Sequence, residues 1–127
     1  MSFLALVVDD SMVVRHVLRR FLEKGGFRVE TVSNGAEALA LLETVRPDVI
    51  FTDLKMPQLD GHKLIEILNG NPELSRIPIV VLAANPVPAG NAESRLAQFV
   101  IAKDLNIEQQ LKRILDQLRP LLSSPSA

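Results

Sequence analysis

Strand-like and helix-like segments alternate along the whole chain, and this alternation narrows the fold more than any other feature. "LALVV" (Leu4 to Val8) is a continuous apolar run, the pattern of a strand buried on both faces. After it, Val14, Val17, Leu18, Phe21 and Leu22 recur at helical spacing, and Arg15, Arg19, Arg20 and Glu23 fall mostly on the other side. Gly25 and Gly26 end that helix. "FRVETV" alternates like an edge strand, and "SNGAEALALLETV" returns to helical spacing through Gly35, Ala38, Leu39 and Leu42. "DVIFT" (Asp48 to Thr52) reads as a third strand, and "DGHKLIEIL" as a short helix with Leu64, Ile65 and Leu68 inward. "IPIVVLAA" (Ile77 to Ala84) and "QFVIA" (Gln98 to Ala102) read as the fourth and fifth strands. A last helix carries Ile107, Leu111, Ile114, Leu115 and Leu118 on one face, and Pro120 is expected to follow it.

Strands alternating with helices imply parallel βαβ units with helices on both faces of the sheet. Five units in 127 residues suit one small doubly wound α/β domain with a single core. The flavodoxin-like (βα)5 arrangement, strand order 2-1-3-4-5, is the expected topology. The domain is expected over residues 1–119, with 120–127, ending in "SSPSA", as a tail or linker stub.

The strand ends carry the chemistry. Strand one ends at Asp9-Asp10, strand three at Asp53, strand four at Ala83-Ala84 and strand five at Lys103. In a parallel sheet these ends share one edge, the edge that binds ligands. If strand one lies beside strand three, at about 4.8 Å, Asp10 and Asp53 come close enough to share a cation. Three carboxylates and one ammonium leave that crevice negative, a balance that a hard divalent cation with oxygen ligands offsets. Mg²⁺ fits, because it accepts one or two carboxylates, keeps waters and takes a phosphate oxygen. Lys103 then stands as a point charge for an incoming anion, and an aspartate can accept a phosphoryl group covalently.

Composition removes several alternatives. The net charge is −1 and no dense basic cluster occurs, which argues against nucleic acid as a partner. Apolar runs are too short to span a membrane, and no secretion signal is evident, so a cytoplasmic location is the default. There is no cysteine, which excludes disulfides and thiolate metal sites. Without Trp or Tyr, and with acids in place of a phosphate-cradling loop after strand one, a flavin site is disfavoured.

"VVDDS", "FTDLKMPQLDG" and the lysine after strand five together resemble the receiver domain of bacterial two-component response regulators, over roughly residues 3 to 119. The resemblance implies that Asp53 accepts a phosphoryl group from a histidine kinase or phosphotransfer protein. It implies Asp10, Asp53 and the backbone carbonyl of Lys55 as Mg²⁺ ligands, with Asp9 acting through metal-bound water. Lys103 and the backbone N–H of Ala84 would contact the phosphoryl oxygens, and Lys55 and Asn85 would flank the group and tune its hydrolysis. The module would signal as a monomer or weak dimer through an unidentified output protein, rather than act as an enzyme.

The sequence departs from that family at the conformational switch. Where the family ends strand four in Thr or Ser, this chain has Ala83, and the partner aromatic position holds Val100. Losing one charge-assisted hydrogen bond would remove roughly 1.5–3 kcal/mol from the phosphorylated state. Asp104 stands where a proline usually follows the lysine, and Pro86, Pro88 and Gly90 discourage helix between strands four and five. A short or irregular fourth helix is expected there. The alternative is a pseudo-receiver, an interaction scaffold that no longer uses phosphate.

Plainer roles compete for the same residues. Asp9 and Asp10 could simply cap a helix, and Lys103 could be a surface lysine. Asp60-Gly61 reads as turn chemistry. His16 and His62 fall on polar helix faces, and Arg15, Arg19 and Arg20 form what reads as a solvated face. Met12 and Met56 are candidates for exposure beside the crevice.

Overall fold

The computed structural model describes residues 3–53, 61–83, 99–102 and 106–123. Its elements run β1 (Leu4–Val8), α1 (Met12–Lys24), β2 (Arg28–Val32), α2 (Gly35–Leu42), β3 (Val49–Asp53), α3 (Gly61–Asn69), β4 (Ile79–Ala83), β5 (Phe99–Ala102) and α4 (Ile107–Ser123). The five strands form one parallel sheet in the order β2-β1-β3-β4-β5, the order expected from the sequence. Segment 84–98, where an irregular helix between β4 and β5 was expected, lies outside the described residues.

The period-two alternation of each strand divides the core into two layers. Ala5, Val7, Val49, Phe51, Val80, Leu82 and Ile101 face one side, where Leu18 and Leu22 of α1 and Leu111, Leu115 and Leu118 of α4 cover them. Leu6, Val8, Ile50, Ile79 and Val81 face the other, against Ala38 and Leu42 of α2 and Leu64, Ile65 and Leu68 of α3. β1, β3 and β4 are covered on both faces, hence the unbroken apolar runs of β1 and β4 and of Val49 to Phe51 in β3. β2 is an edge strand with Arg28 and Glu30 exposed, and charges there discourage pairing with another chain.

Local chemistry sets the helix ends. α1 closes in a Schellman motif: Phe27 N–H donates to the Leu22 carbonyl at 3.0 Å and Gly26 N–H to that of Glu23 at 3.1 Å. Gly26 takes φ 93°, a conformation costly for any residue with a Cβ. At the start of α2, the Asn34 side chain accepts from Glu37 N–H at 2.9 Å. The Glu37 carboxylate reaches back to accept from Ser33 N–H and Oγ at 2.8 and 2.7 Å, the reciprocal logic of a capping box.

One boundary needs correction. α4 does not stop before Pro120 but runs through it to Ser123. Proline removes one helical donor, yet Leu115 and Leu118 are buried just before it while Pro120 is exposed. Packing of the apolar face therefore carries the helix past a residue that local propensity would use as a stop. Among the described residues, no helix is long and apolar enough to cross a membrane.

Candidate functional site

The site forms where β1 and β3 run out of apolar residues. Val8 is level with Thr52 across the β1–β3 ladder, so the next residues, Asp9 and Asp53, sit side by side at the carboxyl edge of the sheet. Asp9 is wholly buried and Asp53 is 7% exposed, while Asp10 is exposed. One carboxylate oxygen from each of the three lies within 4.8 Å of the others. Like charges at that separation repel, so the cluster calls for a compensating cation.

Helix capping does not account for these acids. The N-cap of α1 is Ser11, whose side chain accepts from Val14 N–H at 3.3 Å. Asp9 instead turns its Oδ1 to accept from Ser11 N–H at 2.8 Å, and its own N–H donates to the Val32 carbonyl at 3.2 Å. Its main-chain carbonyl accepts from Arg15 Nη1 at 2.6 Å. Arg15 is therefore not part of a uniformly solvated face, whereas Arg19 conforms to that expectation, pairing with Glu23 at 3.4 Å in an exposed ion pair. Sequence periodicity did not distinguish these arginines; the useful signal was that Arg15 lies within two helical turns of the acid pair.

The donor set fits a hard divalent cation: three carboxylates, two of them buried, with no nitrogen or sulfur donor among them. Two direct ligands of Mg²⁺, each at about 2.1 Å, span at most about 4.2 Å. A cluster within 4.8 Å accommodates such an ion after slight side-chain rotation, or with one acid acting through a bound water.

The other expected positions are less fully defined. Ala83 ends β4 opposite Ala102, one residue beyond the Leu82–Asp53 pair. Val100 pairs with Val81 and packs, half-buried, on the α2–α3 face of the sheet. Lys55, Met56, Asp60, Ala84, Asn85 and Lys103 lie outside the described residues, as does the side chain of His62. Met12 is 74% exposed at the start of α1, and Val13 beside it 72%; His16 is exposed.

Comparison with known proteins agrees with this geometry. The family model of the response regulator receiver domain matches residues 5–115. The response regulator MprA of Mycobacterium tuberculosis is 43% identical over 124 residues, covering 96% of this chain and 51% of its own length. This chain thus spans about half the length of such curated relatives. Among solved structures, the signal receiver domain of a histidine kinase from Syntrophus aciditrophicus superposes with a TM-score of 0.87 at 30% identity, covering 99% of this chain and 96% of the other. The receiver domain of a sensor histidine kinase from Pseudomonas aeruginosa PAO1, solved with a magnesium ion in its active site cleft, superposes with a TM-score of 0.80 at 30% identity, covering 92% and 97%. A parallel sheet of order 2-1-3-4-5 with an acid cluster at its carboxyl edge, matched along nearly all its length, places this chain in the family of response regulator receiver domains of two-component signalling.

Proposed function

We propose that this chain is a cytoplasmic receiver module that accepts a phosphoryl group on Asp53 from a histidine kinase or phosphotransfer protein. The observation that carries this reading is the convergence of Asp9, Asp10 and Asp53 at the ends of adjacent strands, with their oxygens within 4.8 Å. The resemblance to receiver domains gives the acceptor role to Asp53, and its place at the end of the central strand, with the acid pair on one side and β4 on the other, supports that reading.

In the transfer, a carboxylate oxygen of Asp53 attacks phosphorus and forms the P–O bond of an acyl phosphate. The P–N bond to the donor imidazole breaks, and its electron pair stays on that nitrogen. When bound, Mg²⁺ neutralises the acids and the phosphoryl oxygens together, so that two anions can meet. Asp10, Asp53 and the Lys55 backbone carbonyl would hold it directly, and Asp9 through water. Lys103 and the Ala84 N–H would bind the phosphoryl oxygens, with Lys55 and Asn85 tuning hydrolysis. Output would pass by protein contact from a monomer or weak dimer.

A second reading, a scaffold independent of phosphate, is favoured by one observation. Position 83 has no hydroxyl and position 100 no aromatic ring, so the usual switch pair is missing. The test is intact-mass spectrometry after incubation with Mg²⁺ and acetyl phosphate or a phosphorylated histidine donor. A gain of one phosphoryl mass, lost in Asp53→Asn, is the expected result. No gain with any donor, from folded protein, would overturn the phosphoacceptor reading in favour of the scaffold.

A further inference from the structure

We infer that Arg15 is a positioning residue of the divalent-cation site, acting on the backbone of the acid pair rather than on its carboxylates. The inference rests on the metal-site reading above. Arg15 Nη1 donates to the main-chain carbonyl of Asp9 at 2.6 Å, a short, charge-assisted hydrogen bond. That carbonyl belongs to the peptide joining Asp9 to Asp10. Because a peptide is planar, fixing its carbonyl restrains the torsions on either side, ψ of Asp9 and φ of Asp10. Those two torsions set the relative aim of the two side chains. Asp9 has further anchors at its N–H and Oδ1. Asp10 is exposed, and the direction of its carboxylate follows from the peptide plane before it.

Other features single Arg15 out among the α1 arginines. It is half-buried, whereas Arg19 and Arg20 are exposed. Its charge also reaches the first turn of α2. Glu37 there is held below the usual carboxylate range, first by the backbone and side-chain hydrogen bonds from Ser33 and, to a smaller degree, by the Arg15 charge.

Electrostatics makes the inference sharp, because the two possible roles of Arg15 predict opposite signs. A cation that merely stands near the site repels a divalent ion, and removing it tightens binding. A cation that aims the ligands weakens binding when removed. The experiment is titration of the folded protein with Mn²⁺, reading free Mn²⁺ by electron paramagnetic resonance, for wild type, Arg15→Met and Arg15→Gln. Circular dichroism melts would fix a temperature at which all are fully folded. Both variants are expected to raise the Mn²⁺ Kd roughly 3–10-fold, below the 10–100-fold typical of losing a partner that touches a ligand group, since lost repulsion offsets part of the effect. An unchanged or lower Kd in either folded variant would overturn the inference. Should Arg15→Met not fold, Arg15→Gln decides by the same criterion. Failure of wild type to bind Mn²⁺ would overturn the metal-site reading itself, and the inference with it; the wild-type titration keeps the two failures apart.

Discussion

Replacing Asp10 by Asn should stabilise the metal-free protein and abolish most of its stabilisation by Mg²⁺. Asn has nearly the same shape, so the perturbation is chiefly the loss of one negative charge. In the structure that charge lies within 4.8 Å of both the Asp9 and the Asp53 carboxylates. Coulomb repulsion at this range is about 1 kcal/mol per pair in water and about 3.5 kcal/mol per pair at an effective dielectric of 20. Asp10 is exposed, so the lower value applies, and relief from two neighbours amounts to roughly 1–2 kcal/mol. For a domain of this size each kcal/mol shifts the melting temperature by roughly 3–6 °C. The assay is a pair of circular dichroism melts for each protein, one in EDTA and one in excess Mg²⁺. In EDTA the variant should melt about 3–12 °C above wild type. Magnesium should raise wild type by about 1.4 kcal/mol or more at ten times its Kd, and the variant by much less, so that the gap narrows or inverts. A variant less stable than wild type in EDTA would refute the reasoning. It would mean that Asp10 makes a favourable contact outweighing the repulsion, and that the cluster is not a strained site awaiting a cation.

Two further outcomes follow from the helix ends. Ser11→Ala removes the side-chain acceptor for Val14 N–H and should cost about 1 kcal/mol in urea unfolding, with the acids left in place; a larger loss of Mg²⁺ affinity than of stability would show that the cap also orders the acid turn. Glu37 has its native pKa lowered, mainly by the two hydrogen bonds from Ser33, so its contribution is present at neutral pH and lost as pH falls through the lowered native value. Wild type should therefore exceed Glu37→Gln in stability at pH 7, with the difference starting to close near the ordinary Glu value of about 4.3; a difference independent of pH would contradict the assignment.

What the sequence alone determined is what short stretches of chain decide. Residues 4–8 read as a strand from a short unbroken apolar run, and 12–24 as a helix from apolar residues spaced at 3.6, and both patterns are written in the order of side chains. The alternation of these elements then leaves few topologies, and the parallel order with acids at one edge was legible because connection rules are nearly as strict as local sterics. The resemblance carried by the acid pair and the "DLKMPQLDG" stretch added the identity of the site.

Other properties are set only by contacts between distant residues. The lateral register that brings Asp9 beside Asp53 comes from burying Val8 and Ile50 on one face and Val7 and Phe51 on the other; a slip by one residue would invert both faces. The passage of α4 through Pro120 is likewise a packing outcome that overrides propensity. Packing also acts at shorter range, on Arg15, six residues from its partner Asp9. Its nearness to the acid pair in sequence marks it among the α1 arginines, but its residue type does not say that the guanidinium will bond the Asp9 carbonyl rather than a carboxylate or water. That is decided by the angle at which α1 leaves β1, which the burial of Leu18 and Leu22 against the sheet sets. An angle between two elements is a property of their joint packing, and no local pattern encodes it.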